Sequence, residues 1–168
     1  KTLLINAIEQ AKKIGTVRLD ATPDGKKLYD TLGFKVEYQL SRLQCFAKNF
    51  ESLQSPIICQ PMKINDLTSV LKMDFTIFGA DREIILRNLF RNKPNLAWVY
   101  KTKNSIQGYC FGRAGSQFTQ IGPLIAKNQE TAEALLIGAL KTEPNTNFII
   151  DALDDQKNWN KYLKNLGF

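Results

Sequence analysis

The chain has 168 residues, enough for one domain with a real core, or one domain and part of another. Apolar residues make up 43% and charged residues 23% of it, with a formal net charge of +7, so disordered and collagen-like chains are excluded. There is no histidine, which rules out Ser-His-Asp and Cys-His nucleophile systems, histidine-ligated zinc and a histidine general base within the chain.

Residues 3–14 place apolar side chains at 4, 7, 8, 11 and 14, a helical stripe that Gly15 ends. Residues 16–21 read as a strand. Pro23-Asp24-Gly25 signals a turn, and residues 26–32 predict a two-turn helix followed by Gly33. Residues 35–46 alternate as one long strand, and residues 47–56 (AKNFESLQSP) read as a linker. Beyond it, residues 57–60 predict a strand, and residues 65–73 and 81–90 predict helices. Residues 96–101 and 106–113 form a hairpin across a turn at 102–105. Residues 118–126 are a further strand, and residues 129–140 a helix with apolar side chains at 132, 135, 136, 139 and 140. Residues 148–153 are a strand and residues 158–166 a closing helix. From residue 57 the order is β-α-α-β-β-β-α-β-α, an α/β chain whose mixed sheet carries helices on its faces.

One pattern occurs twice. Residues 16–34 (TVRLDATPDGKKLYDTLGF) and 147–168 (NFIIDALDDQKNWNKYLKNLGF) each run from a β-branched stretch ending in Asp-Ala, through a turn, to a short helix closed by Leu-Gly-Phe. A leucine pair stands on a helix upstream of each, Leu3-Leu4 and Leu135-Leu136. The closing motifs begin at Leu32 and Leu166, 134 positions apart, a domain-sized offset. The expectation is a tandem of two similar domains. Residues 1–46 would be the C-terminal part of the first, 47–56 a linker, and 57–168 the second, short of its last strands.

Basic residues outnumber acidic ones by 9 to 6 before Pro56 and by 14 to 10 from there on. The excess is diffuse, and no basic tail of the nucleic-acid-binding kind is present. Arg87, Arg91, Lys93, Lys101 and Lys103 form one acid-free basic run. It reads as a solvated face or, alternatively, as a docking surface for a phosphorylated ligand or an acidic partner. Cys45, Cys59 and Cys110 lack metal spacing and read as packed thiols in a reducing compartment. No apolar run approaches the roughly 20 residues that span a bilayer, and no signal-peptide pattern opens the chain. The expectation is a cytoplasmic protein that binds neither nucleic acid nor membrane.

The segment ATPDGKKLYDTLGF, with Ser41-Arg42-Leu43 on the strand after it, resembles the end of a GNAT-superfamily N-acetyltransferase domain. The element order from residue 57 is similar to that superfamily's, and FGADREIILRNL, GYCFGRAG and QIGPLIA stand within it. The whole resembles a bacterial-type tandem GNAT protein, in which a typical N-terminal acetyltransferase domain precedes a divergent C-terminal one. The resemblance implies a mixed, mostly antiparallel sheet flanked by helices. It also implies acetyl-CoA as acyl donor, a small amine as acceptor, and no metal. A longer parent protein is expected, since Lys1-Thr2-Leu3-Leu4 would begin the first domain's cofactor-binding helix and no initiator Met is present.

In this superfamily the acetyl-CoA pyrophosphate sits on a Gly/Arg-rich loop before a helix. Unpaired amides and the helix dipole hold phosphate there, and glycines allow close backbone approach. In the second repeat the resemblance places the cofactor on Gly122, Pro123, Leu124, Ile125, Ala126 and Asn128. The family's Arg and paired glycines are missing from that loop. Glu130 adds negative charge in the first helical turn, Lys127 partly offsets it, and Asn128 is a good N-cap. Acetyl-CoA would pair its pantetheine arm with the strand edge at 123–126; the alternative is a structural helix cap.

GNAT enzymes often protonate the departing CoA thiolate with a tyrosine on the last helix, because tyrosine's acidity resembles the thiol's. Tyr29, four residues before Gly33, matches that place. In the second repeat Leu163 matches it, and Tyr162 is one position off, turned about 100° around the helix. Asp151 is a candidate base, ending a strand beside the presumed cleft. Within Phe78-Gly79-Ala80-Asp81-Arg82, which looks like the acceptor-side loop, Asp81 is read as a cap and Arg82 as a partner for a carboxylate. Arg113 is a further candidate substrate contact. For each of these the alternative is structural: a half-buried helix aromatic, an N-cap, a hairpin-end arginine. Trp159 reads as a core anchor.

Residues 1–46 lack the sheet their helices and strands would pack on. The strand at 35–46 is therefore expected to add to the second sheet, within the chain or swapped between two copies as a homodimer through residues 1–46. The alternative to the enzyme is a non-catalytic GNAT-like module that binds an acyl-CoA or a metabolite, or completes an interface.

Overall fold

The structure is a computed structural model that describes residues 2–13, 15–46, 50–103 and 105–168. Lys1 and Ile14 of the expected first helix, residues 47–49 of the expected linker and Asn104 of the expected hairpin turn lie outside the described residues. The chain divides into two compact units, Lys1–Glu37 and Tyr38–Phe168.

In the first unit, α1 (Thr2–Lys12) and α2 (Pro23–Thr31) are the two helices. Pro23 takes the first helical turn, where its missing N–H costs nothing. Thr22 caps it, its hydroxyl accepting from the Gly25 N–H at 3.2 Å. The Pro-Asp-Gly signal is thus the helix's own first turn rather than a turn before it. Residues 16–21 correct the expectation of a strand: they stay outside any ladder. Their side chains favour extended backbone, but a strand needs a neighbour to bond to, and none among the described residues provides one. Ile8 is the one buried side chain described in this unit.

The second unit holds strands β1 (Leu40–Phe46), β2 (Gln60–Pro61), β3 (Trp98–Lys101), β4 (Ile106–Ala114), β5 (Thr119–Ala126) and β6 (Asn147–Leu153). Its helices are α3 (Leu67–Phe78), α4 (Glu83–Asn92), α5 (Gln129–Thr142) and α6 (Lys157–Asn165). They make one six-stranded sheet in the order β1-β6-β5-β4-β3-β2. All neighbours are antiparallel except β5 and β6. This is the expected mixed, mostly antiparallel sheet, with the expected order of elements from β2 onward.

Two strands are shorter than their alternation suggests. Only Leu40–Phe46 of the strand expected at 35–46 enters the sheet, where it pairs with β6 of the same chain from Leu40↔Leu153 to Phe46↔Asn147. The strand expected at 57–60 reduces to Gln60–Pro61 against Val99 and Trp98, ending at a proline that has no N–H to donate.

Each sheet face has its own core. On one, Leu135, Leu136, Ala139 and Leu140 of α5 and Leu163 of α6 meet Cys110, Ile121, Phe148 and Ile150. On the other, Leu67 and Val70 of α3 and Leu86 of α4 meet Val99, Tyr109 and Phe111. Two glycines let α5 approach the sheet. A Cβ on Gly108 would lie 2.9 Å from both Thr131 Cγ2 and Leu135 Cδ1, and one on Gly138 would lie 2.7 Å from Trp98 Cε3.

Candidate functional site

The parallel pair in the sheet parts partway along its length. β5 and β6 pair only from Thr119↔Phe148 to Ile121↔Ile150. Beyond that point β5 continues for Gly122 to Ala126, all half-buried, and β6 continues for Asp151 to Leu153. On its other side β5 stays paired, with Leu124, Ile125 and Ala126 opposite Cys110, Tyr109 and Gly108 of β4. Among the described residues, no strand covers the other edge of the Gly122 to Ala126 backbone. A cleft at the carboxyl ends of parallel strands is where ligands enter open α/β sheets.

At the parting point a polar row crosses four strands. Asp151 is the first residue of β6 past the pairing with β5. Arg42 Nε and Nη2 on β1 donate to its Oδ1 and Oδ2 at 2.7 and 2.8 Å. Gln120 Nε2 on β5 donates to the same Oδ2 at 2.9 Å. Gln120 Oε1 in turn accepts from Arg113 Nε and Nη2 at 3.0 and 2.6 Å. Asp151 and Arg113, singled out separately in the sequence, are thus joined through Gln120. Both oxygens of Asp151 are engaged, an arrangement that anchors neighbouring strands.

Asp81 and Arg82 stand on the loop between α3 and α4. Asp81 Oδ1 accepts from the Glu83 N–H at 2.8 Å and opens α4. Arg82 turns inward, where its Nε donates to Asp74 Oδ2 at 3.1 Å and its Nη2 to Asp74 Oδ1. Its guanidinium also lies 3.7 Å from the centre of the Phe78 ring. The Tyr109 hydroxyl donates to Asp74 Oδ1 as well. Burial first, and then the Asp74 carboxylate, push the Tyr109 phenol far above its ordinary range. The carboxylate that Arg82 binds is therefore the protein's own, on a side chain only 2% exposed.

The start of α5 is already capped. Asn128 Oδ1 accepts from the Thr131 N–H at 2.9 Å, and the Lys127 N–H donates to the Gln107 carbonyl at 3.0 Å. Glu130 stands in the first helical turn. On α6, Tyr162 stacks on Trp159 with ring centres 5.7 Å apart. Burial, and then Glu133, push its phenol up to about 12. Leu163 is fully buried in the core. Tyr29 belongs to the other unit, edge-on to Phe34 at 5.8 Å.

Three of the five residues of the basic run pair with acids of the fold. Arg87 pairs with Glu83 at 2.6 Å, Lys93 with Glu143 at 2.5 Å and Lys101 with Asp66 at 2.6 Å, and Arg91 donates to Asn88. Cys45, Cys59 and Cys110 are free thiols. Among the described residues no cluster of three or more His, Cys, Asp or Glu could hold a metal ion, and no helix is long and apolar enough to cross a membrane.

The residues around the cleft fit one end of acetyl-CoA and not the other. The open β5 edge suits an extended arm of amides. At α5, however, a capping side chain holds the Thr131 amide, an acid stands in the first turn, and residues 126–129 contain neither glycine nor arginine. The segment thus lacks the glycines and the positive charge that usually hold a diphosphate at a helix start.

A family model described as the acetyltransferase (GNAT) domain matches residues 70–168. Comparison with curated proteins gives no match. A solved Pyrococcus horikoshii protein described as an acetyltransferase is 23% identical with a TM-score of 0.69, over 97% of this chain and 53% of that one. A GCN5-related N-acetyltransferase from Sphaerobacter thermophilus is 15% identical with a TM-score of 0.57, over 79% of this chain and 48% of that one. Another from Kribbella flavida is 15% identical with a TM-score of 0.58, over 94% and 42%. At these identities the likeness is one of fold, and the chain spans about half the length of the structures it matches. With the family model covering more than half of its residues and the same fold in its sheet, the chain belongs to the GNAT acetyltransferase family.

Proposed function

We propose that the chain is the later part of a longer, cytoplasmic, acetyl-CoA-dependent N-acetyltransferase acting on a small amine. In this reading residues 1–46 end the domain that performs the transfer, and Tyr29 is that domain's proton donor. The observation that carries it is the contrast between the repeats. The first keeps a half-exposed tyrosine where the second has Leu163, buried in the core, and the second also has its helix amide filled by Asn128. The free thiols support a reducing compartment. Thiol release from acetyl-CoA by the longer protein, over a panel of small primary amines, tests the reading. Amine-dependent turnover is expected, with Tyr29→Phe lowering kcat by about 10²-fold. Turnover that ignores every amine would sink it.

A second reading concerns residues 57–168 alone. The capped α5 and the doubly held Asp151 favour a non-catalytic module that binds a ligand or completes an interface.

A further inference from the structure

The helices α3 and α4 meet in an apolar tip that the sheet does not cover. α3 buries Leu67, Val70 and Asp74, and α4 buries Leu86. Between Asp74 and Leu86 no residue is fully buried. Phe75, Ile77, Phe78, Ile84 and Ile85 are each 49% to 78% exposed. Together they show water about 500 Å² of apolar surface, as much as the largest patch on a typical monomer, and patches of that size mark interaction sites.

The tip holds its shape before any partner arrives. Gly79, at φ 79°, closes α3, and its N–H donates to the Phe75 carbonyl at 3.0 Å. Arg82 pairs with the buried Asp74, which also accepts from Tyr109 on β4, and its guanidinium lies against the Phe78 ring. Loop and ring are thereby tied to the sheet, so association has little left to order. The tip is also electrically satisfied. Its charged side chains, Asp81, Arg82 and Glu83, are engaged by the Glu83 N–H, Asp74 and Arg87. An acidic partner or an anionic membrane needs cations beside the apolar side chains, and the tip's one cation is already held by Asp74.

We infer that two copies of the chain pair through the α3–α4 tip about a two-fold axis. Each sets Phe75, Ile77, Phe78, Ile84 and Ile85 against the same residues of the other. A satisfied apolar surface is matched by another of its kind, and a two-fold axis makes one patch its own complement. Two such tips remove about 1,000 Å² from water, which reaches the lower bound for a specific interface. The surface is a different one from residues 1–46. The pairing also stands apart from the proposed transfer activity, since a protein inactive toward every amine would leave it untouched.

Sedimentation equilibrium of the whole chain decides it. A dimer with a dissociation constant on the order of micromolar is expected. Each copy carries a net charge of +7, so raising the salt should screen the repulsion and tighten the pairing several-fold. Ile84→Asp should weaken it more than about tenfold while the thermal melt stays cooperative, because an acid suits the first turn of α4. Ile58→Asp alters an isoleucine outside the tip that is 87% exposed, and should leave the pairing as it was. A chain that stays monomeric throughout would overturn the inference and leave the tip to a partner of another kind. A dimer that survives Ile84→Asp, or one that weakens as salt rises, would overturn it by placing the contact elsewhere.

Discussion

Tyr29 and Leu163 hold equivalent places in the two repeats. The Phe34 N–H donates to the Tyr29 carbonyl at 3.2 Å, and the Phe168 N–H to the Leu163 carbonyl at 3.0 Å. In each case a glycine with positive φ, Gly33 at 84° or Gly167 at 98°, turns the chain back over its helix. The helix ends are alike, yet one position carries a phenol and the other fills a core. A hydroxyl at 163 would enter the apolar core that Leu163 shares with Leu136, Phe148 and Ile150, where a polar group without a partner is costly.

The Asp74 cluster is a buried polar group of the second unit. Asp74→Ala leaves Arg82 without its carboxylate and is expected to cost about 3–5 kcal/mol. Tyr109→Phe removes one hydrogen bond to a charged acceptor and should cost about 1.5–3 kcal/mol. Urea unfolding of both variants checks the order; an Asp74→Ala protein as stable as its parent would refute the cluster's role.

Arg42 and Asp151 join β1 to the sheet through a two-pronged pair. Its members are 60% and 27% exposed, so water screens much of the attraction. A double-mutant cycle with Arg42→Ala and Asp151→Ala should give a coupling of about 1 kcal/mol. Strictly additive effects would mean that the backbone ladder alone holds the strand.

Gly138 offers a counterintuitive test. Alanine at a helical glycine ordinarily gains about 1 kcal/mol of helix propensity. Here its methyl would meet the Trp98 ring at 2.7 Å, and overpacking of that kind costs about 1–3 kcal/mol. Gly138→Ala should therefore lower Tm and shift the tryptophan emission. A raised Tm would show that the indole moves aside freely.

The three thiols should be slow to react in the native state. Burial pushes Cys45 up to about 12 and Cys59 up to about 11, and raises Cys110 further still. At pH 8 a thiol near 11 is ionised to about one part in a thousand, and the thiolate is the reactive form. Ellman's reagent should modify all three rapidly only after denaturation, with Cys110 last to respond under native conditions. A fast native phase would contradict this burial.

Helices and their caps were legible because their signals are local. Asn128 before α5 and Gly33 behind α2 each act within a few residues, whereas α3 runs on to Phe78, past residue 73 where the sequence reading ended it. The polar row was not legible. Arg42 and Asp151 are 109 positions apart, and they meet only because of the register in which β1 pairs with β6. Residues 16–21 were misread for the same reason, since side chains state a preference for extension but never name the partner strand. Asp74 did leave a trace. It stands four residues from both Val70 and Phe78, an acid set among the apolar positions of α3, and such a misfit announces a buried partner. Gln120 left none.

The pairing of β1 with β6 also bears on how the molecule comes into being. Within this sheet the first strand in chain order must wait for the last, because residues 40–46 find their ladder only at 147–153. Until then β1 is an exposed edge looking for a partner. So distant a contact is entropically slow to close, and the sheet's outer seam should be the final part to set. A rearranged chain in which β1 and β6 were neighbours in sequence would turn that late encounter into a local hairpin and speed assembly.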